Sequence, residues 1–239
     1  MVKYLHYPSN ISTMNQEITK KTLFFIGFSV LGFLALQVPL TQLAGSSVKF
    51  TVFDAFGPTA GAFLGTLPGA IAVLLMQATN FVVQGADWSD TGTFIRLLPM
   101  MMAAAYFARK MPLNVIVPIL AIISFVAHPV GREVWYFSLF WTIPIIAYFF
   151  QEKYLVARAL GATFAAHSVG GALWIWLVPL PAAVWIGLIP VVIMERLLFA
   201  GGIIVSYLVL NNIFALLNKK LEFGYKLPVH AQYLLSSLR

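Results

Sequence analysis

The chain has 239 residues, 60% of them apolar and 10% charged, with 15 Lys and Arg against 8 Asp and Glu and no cysteine. A soluble domain is about 25% charged, and so few charges cannot cover a water-facing surface of this size; disorder would need the opposite composition. With disulfides and thiolate chemistry also excluded, a polytopic membrane protein remains, its outer face solvated by lipid.

Residues 1–21 form a polar N-terminal tail. No small-x-small cleavage pattern follows the first apolar run, so a cleavable signal peptide is not expected. Apolar runs able to cross about 30 Å of hydrocarbon follow as Thr22–Leu40, Pro58–Val83, Thr93–Ala108, Pro112–Val130, Val134–Phe150, Ala159–Val178 and Ala183–Leu217. The third and fifth are short, and the seventh is long enough to tilt or break in two. Pro39, Pro58, Pro112, Pro129 and Pro179–Pro181 mark boundaries, while Pro68, Pro99, Pro118, Pro144 and Pro190 are candidate kinks. The expected fold is an all-α membrane bundle of six to seven helices over 22–217, in the cell membrane. Residues 218–239 are an interfacial or cytosolic tail.

The net charge of +7 is read as topogenic, with Lys and Arg holding loops on the cytoplasmic side. No basic run exceeds two residues, so nucleic acid is not an expected partner. Seven spans with the N-terminus outside place Arg109, Lys110, Lys153, Arg158, Lys219 and Lys220 inside and the Asp87/Asp90 loop outside. Lys20 and Lys21 then fall on the wrong side. An N-inside chain repairs this if Gln42–Phe56, which carries Lys49 and Asp54, makes an additional short crossing or a re-entrant loop. Both arrangements stay open at this level.

Three features could carry function. Gly57, Gly61, Gly65 and Gly69 recur at spacing four, placing all four on one side of a helix, for tight packing inside the bundle or a seam for another subunit. His167 and Glu195 fall at similar depths in the sixth and seventh spans, with Arg196 about 100° further round the helix. Ionisable groups at such depth need partners or water, so the three are either a ligand site or a structural clamp. Trp174, on the segment of His167, is a candidate pocket wall. Asp87, Asp90, Arg96, His128, Arg132 and Glu133 gather at the outer ends of spans; within that set Arg96 and His128 sit in apolar sequence and are candidate ligand contacts.

Absent motifs narrow the chemistry. There is no G-x-x-x-x-G-K-[ST] for ATP, no H-E-x-x-H, and no G-x-S-x-G elbow. The four histidines, at 6, 128, 167 and 230, are scattered, so neither a metal nor another cofactor is expected.

The run Gly57-Pro-Thr-Ala-Gly-Ala-Phe-Leu-Gly65 resembles the GP-x-x-G-x-x-x-G helix start of substrate-binding S components of energy-coupling factor transporters. The all-helical size, the missing ATPase motif and Ala166-His-Ser-Val-Gly-Gly171 are similar too. The resemblance implies a micronutrient-binding membrane subunit that works with a shared coupling protein and two ATPases. Seven spans rather than six, and no Ala-x-x-x-Ala in Thr22–Leu40, depart from the family's pattern. The expected function is capture or transport of a small molecule; an intramembrane enzyme acting on a lipid or peptide, or a structural assembly protein, are the alternatives.

Overall fold

The computed structural model describes residues 11–42, 49–85, 91–220 and 226–238, with side chains except at 11–17, 41, 42, 49, 91 and 93. Helix α1 (Ile11–Leu36) leads into an antiparallel hairpin, β1 (Pro39–Gln42) and β2 (Lys49–Thr51), with Pro39 opposite Thr51. Two short helices follow, α2 (Val52–Phe56) and α3 (Thr59–Leu64). The bundle continues through α4 (Thr66–Val83), α5 (Thr91–Ala108), α6 (Leu113–Ala127) and α7 (Pro129–Glu133). A 3₁₀ segment at Trp135–Trp141, α8 (Thr142–Tyr148), α9 (Leu155–Leu177) and α10 (Ala182–Lys220) complete it.

Among the described residues, four helices are long and apolar enough to cross a membrane: Ile18–Leu36, Thr66–Val83, Leu155–Leu177 and Ala182–Lys220. Phe94–Ala108, Leu113–Ala127 and Trp135–Tyr148 are apolar but shorter. The architecture is therefore membrane-type and helical, with one small hairpin. Helix α10 does not break at Pro190; its 39 residues are continuous, a rod of about 58 Å at 1.5 Å per residue. Such a rod is nearly twice the hydrocarbon thickness, so it must tilt or project.

The four spaced glycines do not share one helix face. Gly57 ends α2, and Gly65, at φ +96°, separates α3 from α4. A side chain is disfavoured in that backbone region, so glycine sets the chain reversal there. A methyl group at Gly61 would run into the Ala104 carbonyl of α5, and one at Gly69 would lie 2.6 Å from the Ala60 carbonyl oxygen of α3. Gly61 and Gly69 are thus close-approach points for two different helix pairs.

Side-chain contacts fix the helix directions. Gln77 donates to the Leu97 carbonyl at 3.2 Å and Phe81 meets Phe94, so α4 and α5 are antiparallel. Gly57 faces Met100 while Gly61 faces Ala104 and Ala108, so α3 descends alongside α5. Gly32 abuts Met76 and Gln37 donates to Asn80 at 2.7 Å, so α1 rises with α4. Phe24 and Phe63 both meet Phe214 of α10, with ring centroids 5.4 and 5.0 Å apart. Arg158 at the start of α9 donates to the Phe107 and Ala108 carbonyls, capping α5. Lys20, Lys21, Arg109, Lys110, Lys153, Lys219 and Lys220 consequently belong to one end of the bundle. The α2–α3 segment, after the hairpin, runs back toward the basic end, which is how Lys20 and Lys21 come to lie at the same end as the other basic residues.

Aromatic side chains fill the interior. Phe28, Phe53, Tyr106, Phe107, Ile203 and Tyr207 anchor one core; Phe125, Phe137, Trp141, Phe164 and Trp185 anchor a second toward the other end of α9. Residues 227–235 are not a free extension. Asn211, Asn212 and Asn218 of α10 each donate to and accept from the tail backbone, pairing with His230, with Tyr233 and Leu235, and with Leu227 at 2.7–3.1 Å.

Candidate functional site

On α10 the buried positions Val192, Glu195, Arg196, Phe199, Ala200 and Ile203 recur at helical spacing, and two of them are charged. Arg196 Nη2 lies 3.6 Å from Glu195 Oε2, too long for a hydrogen bond. Its guanidinium is flanked instead by the rings of Phe199 at 4.8 Å and Phe50 at 5.4 Å, and its Nε is buried without a hydrogen-bond partner. The hairpin delivers Phe50 to this place. Directly after it, Thr51 and Asp54 close a capping box on α2, with the Thr51 amide donating to Asp54 Oδ2 at 2.8 Å. Phe50 faces Arg196 and Ala55 faces Gly202, so Asp54 sits on a segment held against α10 at both sides. Two carboxylates and one guanidinium therefore share this part of the interior.

His167 stands in the middle of α9, partly buried among Phe137, Phe140, Trp141 and Phe164, with ring centroids 5.6–6.3 Å away. Trp141 Nε1 donates to His167 Nδ1 at 3.1 Å. An indole can only donate, so the neutral imidazole carries its own proton on Nε2. Counted from the turn between α9 and α10, His167 is about 15 Å and Glu195 about 20 Å along its helix. The two are nonetheless not directly joined: no ion pair or hydrogen bond between them occurs among the described residues. Arg196 occupies the next position of α10 and pairs loosely with Glu195.

The other candidates separate. Trp174 is one of the side chains packed on the second core, on the His167 side of α9. Arg96 is exposed on α5. His128 lies at the α6–α7 junction against Trp176, centroids 4.9 Å apart, in the wall of a cavity of about 390 Å³ with Ile175, Leu177, Leu180 and Pro181. A second cavity of about 390 Å³ lies between α1 and α4, near Phe25, Ser29, Phe33 and Met76. Neither is lined by His167, Glu195 or Arg196. Asp87 and Asp90 lie outside the described residues, and Arg132 and Glu133 are exposed. No three His, Asp or Glu side chains converge as a metal-binding group among the described residues.

Two residues near Arg196 escaped sequence reasoning as members of one group. Phe50 and Asp54 carried no periodic signal, because a hairpin and a five-residue helix are too short to show one.

No family model matches the chain, and no solved structure matches it. The chain is similar to an uncharacterized protein of Methanocaldococcus jannaschii, 26% identical over 202 residues that cover 75% of this chain and 67% of the relative.

Proposed function

We propose that the protein is a membrane-embedded capture subunit for a small micronutrient-like molecule, presented to a separate coupling subunit and ATPases. The observation that carries this reading is Arg196, a buried guanidinium held by one loose ion pair and two aromatic faces. A charge in the membrane interior is costly unless paired or wetted, and a purely structural clamp would close the pair to hydrogen-bond length. Arg196 is instead left with bonding capacity to spare, beside Asp54, Glu195 and the aromatic wall that includes His167. Such convergence of polar groups within an apolar lining is what a small-molecule site requires. In this reading the β1–β2 hairpin covers the site, since Phe50 lies over both Arg196 and Phe199, and a ligand enters by displacing it.

Within the membrane, six or seven crossings are completed by the shorter helices α5, α6 and the Trp135–Tyr148 segment. The basic end of the bundle faces the cytoplasm, so the hairpin faces outward, where a capture subunit meets its ligand. Native mass spectrometry of the gently solubilised protein tests the reading. A retained small molecule, lost on Arg196→Gln, supports it, and co-purifying ATPases identify the energising partner. Turnover of a lipid or peptide by the isolated chain, abolished by His167→Gln, would replace capture with enzymatic action.

A further inference from the structure

We propose that the cavity beside the α9–α10 turn is a second binding site, one that takes a primary ammonium carried on a short apolar body. It stands apart from the Arg196 group and goes beyond the capture reading. The cavity, of about 390 Å³, lies at the end of the bundle opposite the basic residues, between His128 at the close of α6 and the turn that follows α9.

Its acceptors come from the way α9 ends. A helix leaves its last carbonyls without intrahelical donors, and the residues that follow ordinarily cap them. Here the positions four residues on from Ile175 and Leu177 are Pro179 and Pro181, which have no N–H. The amide four on from Trp176 is that of Leu180, and it donates to the Val178 carbonyl at 2.9 Å instead. The Ile175, Trp176 and Leu177 carbonyls therefore accept no backbone hydrogen bond among the described residues. All three residues border the cavity, together with the two prolines that leave them uncapped. They also carry the partial negative charge of the α9 C-terminus.

The facing wall has the same preference. His128 Nδ1 is buried without a hydrogen-bond partner, and in the tautomer protonated at Nε2 it is a further acceptor. Trp176 donates its indole N–H to the Ser124 carbonyl and hydroxyl, both at 3.0 Å, so what it offers the cavity is ring surface. His128 meets that ring at 82° and can cover no more than one of its two faces, and Trp176 is 52% exposed. Indole faces attract ammonium groups. Uncapped carbonyls, an imidazole nitrogen and a π face together favour a hydrogen-bond donor, and a charged donor gains most. The Val130, Ile175 and Leu180 side chains supply an apolar wall for a ring or a short alkyl chain. Arg132 and Glu133, exposed nearby on α7, are opposite in charge and leave no net sign of their own.

Three probes share a phenyl ring and differ in the head group: 2-phenylethylammonium, its N,N,N-trimethyl derivative and 3-phenylpropanoate. Binding to the full chain in zwitterionic lipid nanodiscs, corrected for uptake by empty discs, is read by calorimetry. At about pH 8 an ordinary imidazole is neutral and an alkylammonium is charged. The primary ammonium should bind at least about tenfold more tightly than either analogue, because one lacks N–H donors and the other has the wrong charge. Pro179→Ala returns an N–H that competes for the Ile175 carbonyl, and should weaken ammonium binding by about tenfold. His128→Phe keeps a ring in the wall and removes its nitrogens; it should weaken binding as well, and it serves alone if Pro179→Ala fails to fold. Equal or tighter binding of the trimethyl or carboxylate probe would overturn the proposal. So would an absence of binding by all three, or an ammonium affinity unchanged in either variant that folds.

Discussion

Trp141 on the 3₁₀ segment hands its indole N–H to Nδ1 of His167, 26 residues later on α9, at 3.1 Å. The contact couples two elements of the second core and decides which imidazole nitrogen faces the remaining interior. It also explains how a histidine stands among four aromatic rings: one nitrogen is satisfied by a neighbour that can only donate.

Trp141→Phe keeps most of the ring volume and removes the donor. It should cost about 1–2 kcal/mol, from the lost bond and the unpaired nitrogen, and leave the helical fold intact. Retention of a co-purified ligand should fall as well, because the imidazole is freed to turn. The unfolding midpoint and native mass spectrum of the variant measure the two effects; unchanged values for both would deny His167 any orientation by Trp141.

The charged cluster predicts an unequal pair of substitutions. Arg196→Gln leaves Asp54 and Glu195 without a counter-charge and should destabilise by about 3–5 kcal/mol. Glu195→Gln leaves Arg196 with Asp54 still acting on it and should be milder. The double variant should recover part of the Arg196→Gln loss, since one of the two stranded charges is gone. Denaturant unfolding in mixed micelles gives all three values, and strict additivity would show that the side chains do not interact.

Two glycines separate packing from mere composition. Gly61→Ala places a methyl group against the Ala104 carbonyl and should sharply lower folded yield. Gly27→Ala on α1, where nothing approaches within 4 Å, should be neutral or slightly stabilising through helix propensity. Monodisperse yield in detergent compares them directly; equal tolerance would mean that α3 and α5 do not approach closely.

The clasp on the C-terminal tail is testable in isolation from the site. Asn212→Ala removes the donor to Tyr233 and the acceptor for Leu235, about 1–3 kcal/mol of local stability. Hydrogen exchange should rise at 233–235 while α5 and α9 stay protected. His230 contributes a pH dependence: burial and the nearby Arg158 charge hold its pKa below the ordinary 6.5. The released tail then binds a proton more readily than the clasped one, so clasping weakens as pH falls through about 6.5. Equal protection factors at about pH 7.5 and about pH 5.5, after allowing for the intrinsic pH dependence of exchange, would rule this out.

Helix directions predict accessibility on a chain that has no cysteine of its own. Single cysteines at 21, 110, 153 and 219 should label from one side, and cysteines at 84 and 132 from the other. Labelling of 21 together with 132 would require α1 to run against α4, contrary to the contact of Gln37 with Asn80.

Composition alone pointed to a membrane-type helical chain, because so few charges cannot cover its apolar surface in water, and four helices long and apolar enough to cross a membrane agree with it. Apolar run lengths also placed the cores of α5, α6, α9 and α10 within a few residues, and depth counting singled out His167, Glu195 and Arg196. These are local or one-dimensional properties, carried by hydrophobicity and helical rise. The tertiary structure alone decided the rest. Four glycines at spacing four look like one stripe until φ +96° at Gly65 splits them between two helices. Asp54 and Phe50 join Arg196 through a hairpin whose position depends on contacts about 145 residues away, and no period in the sequence encodes them. The partner of His167 was set in the same way: depth brings Glu195 level with it, but side-chain direction on α10 and the indole of Trp141 determine what it meets.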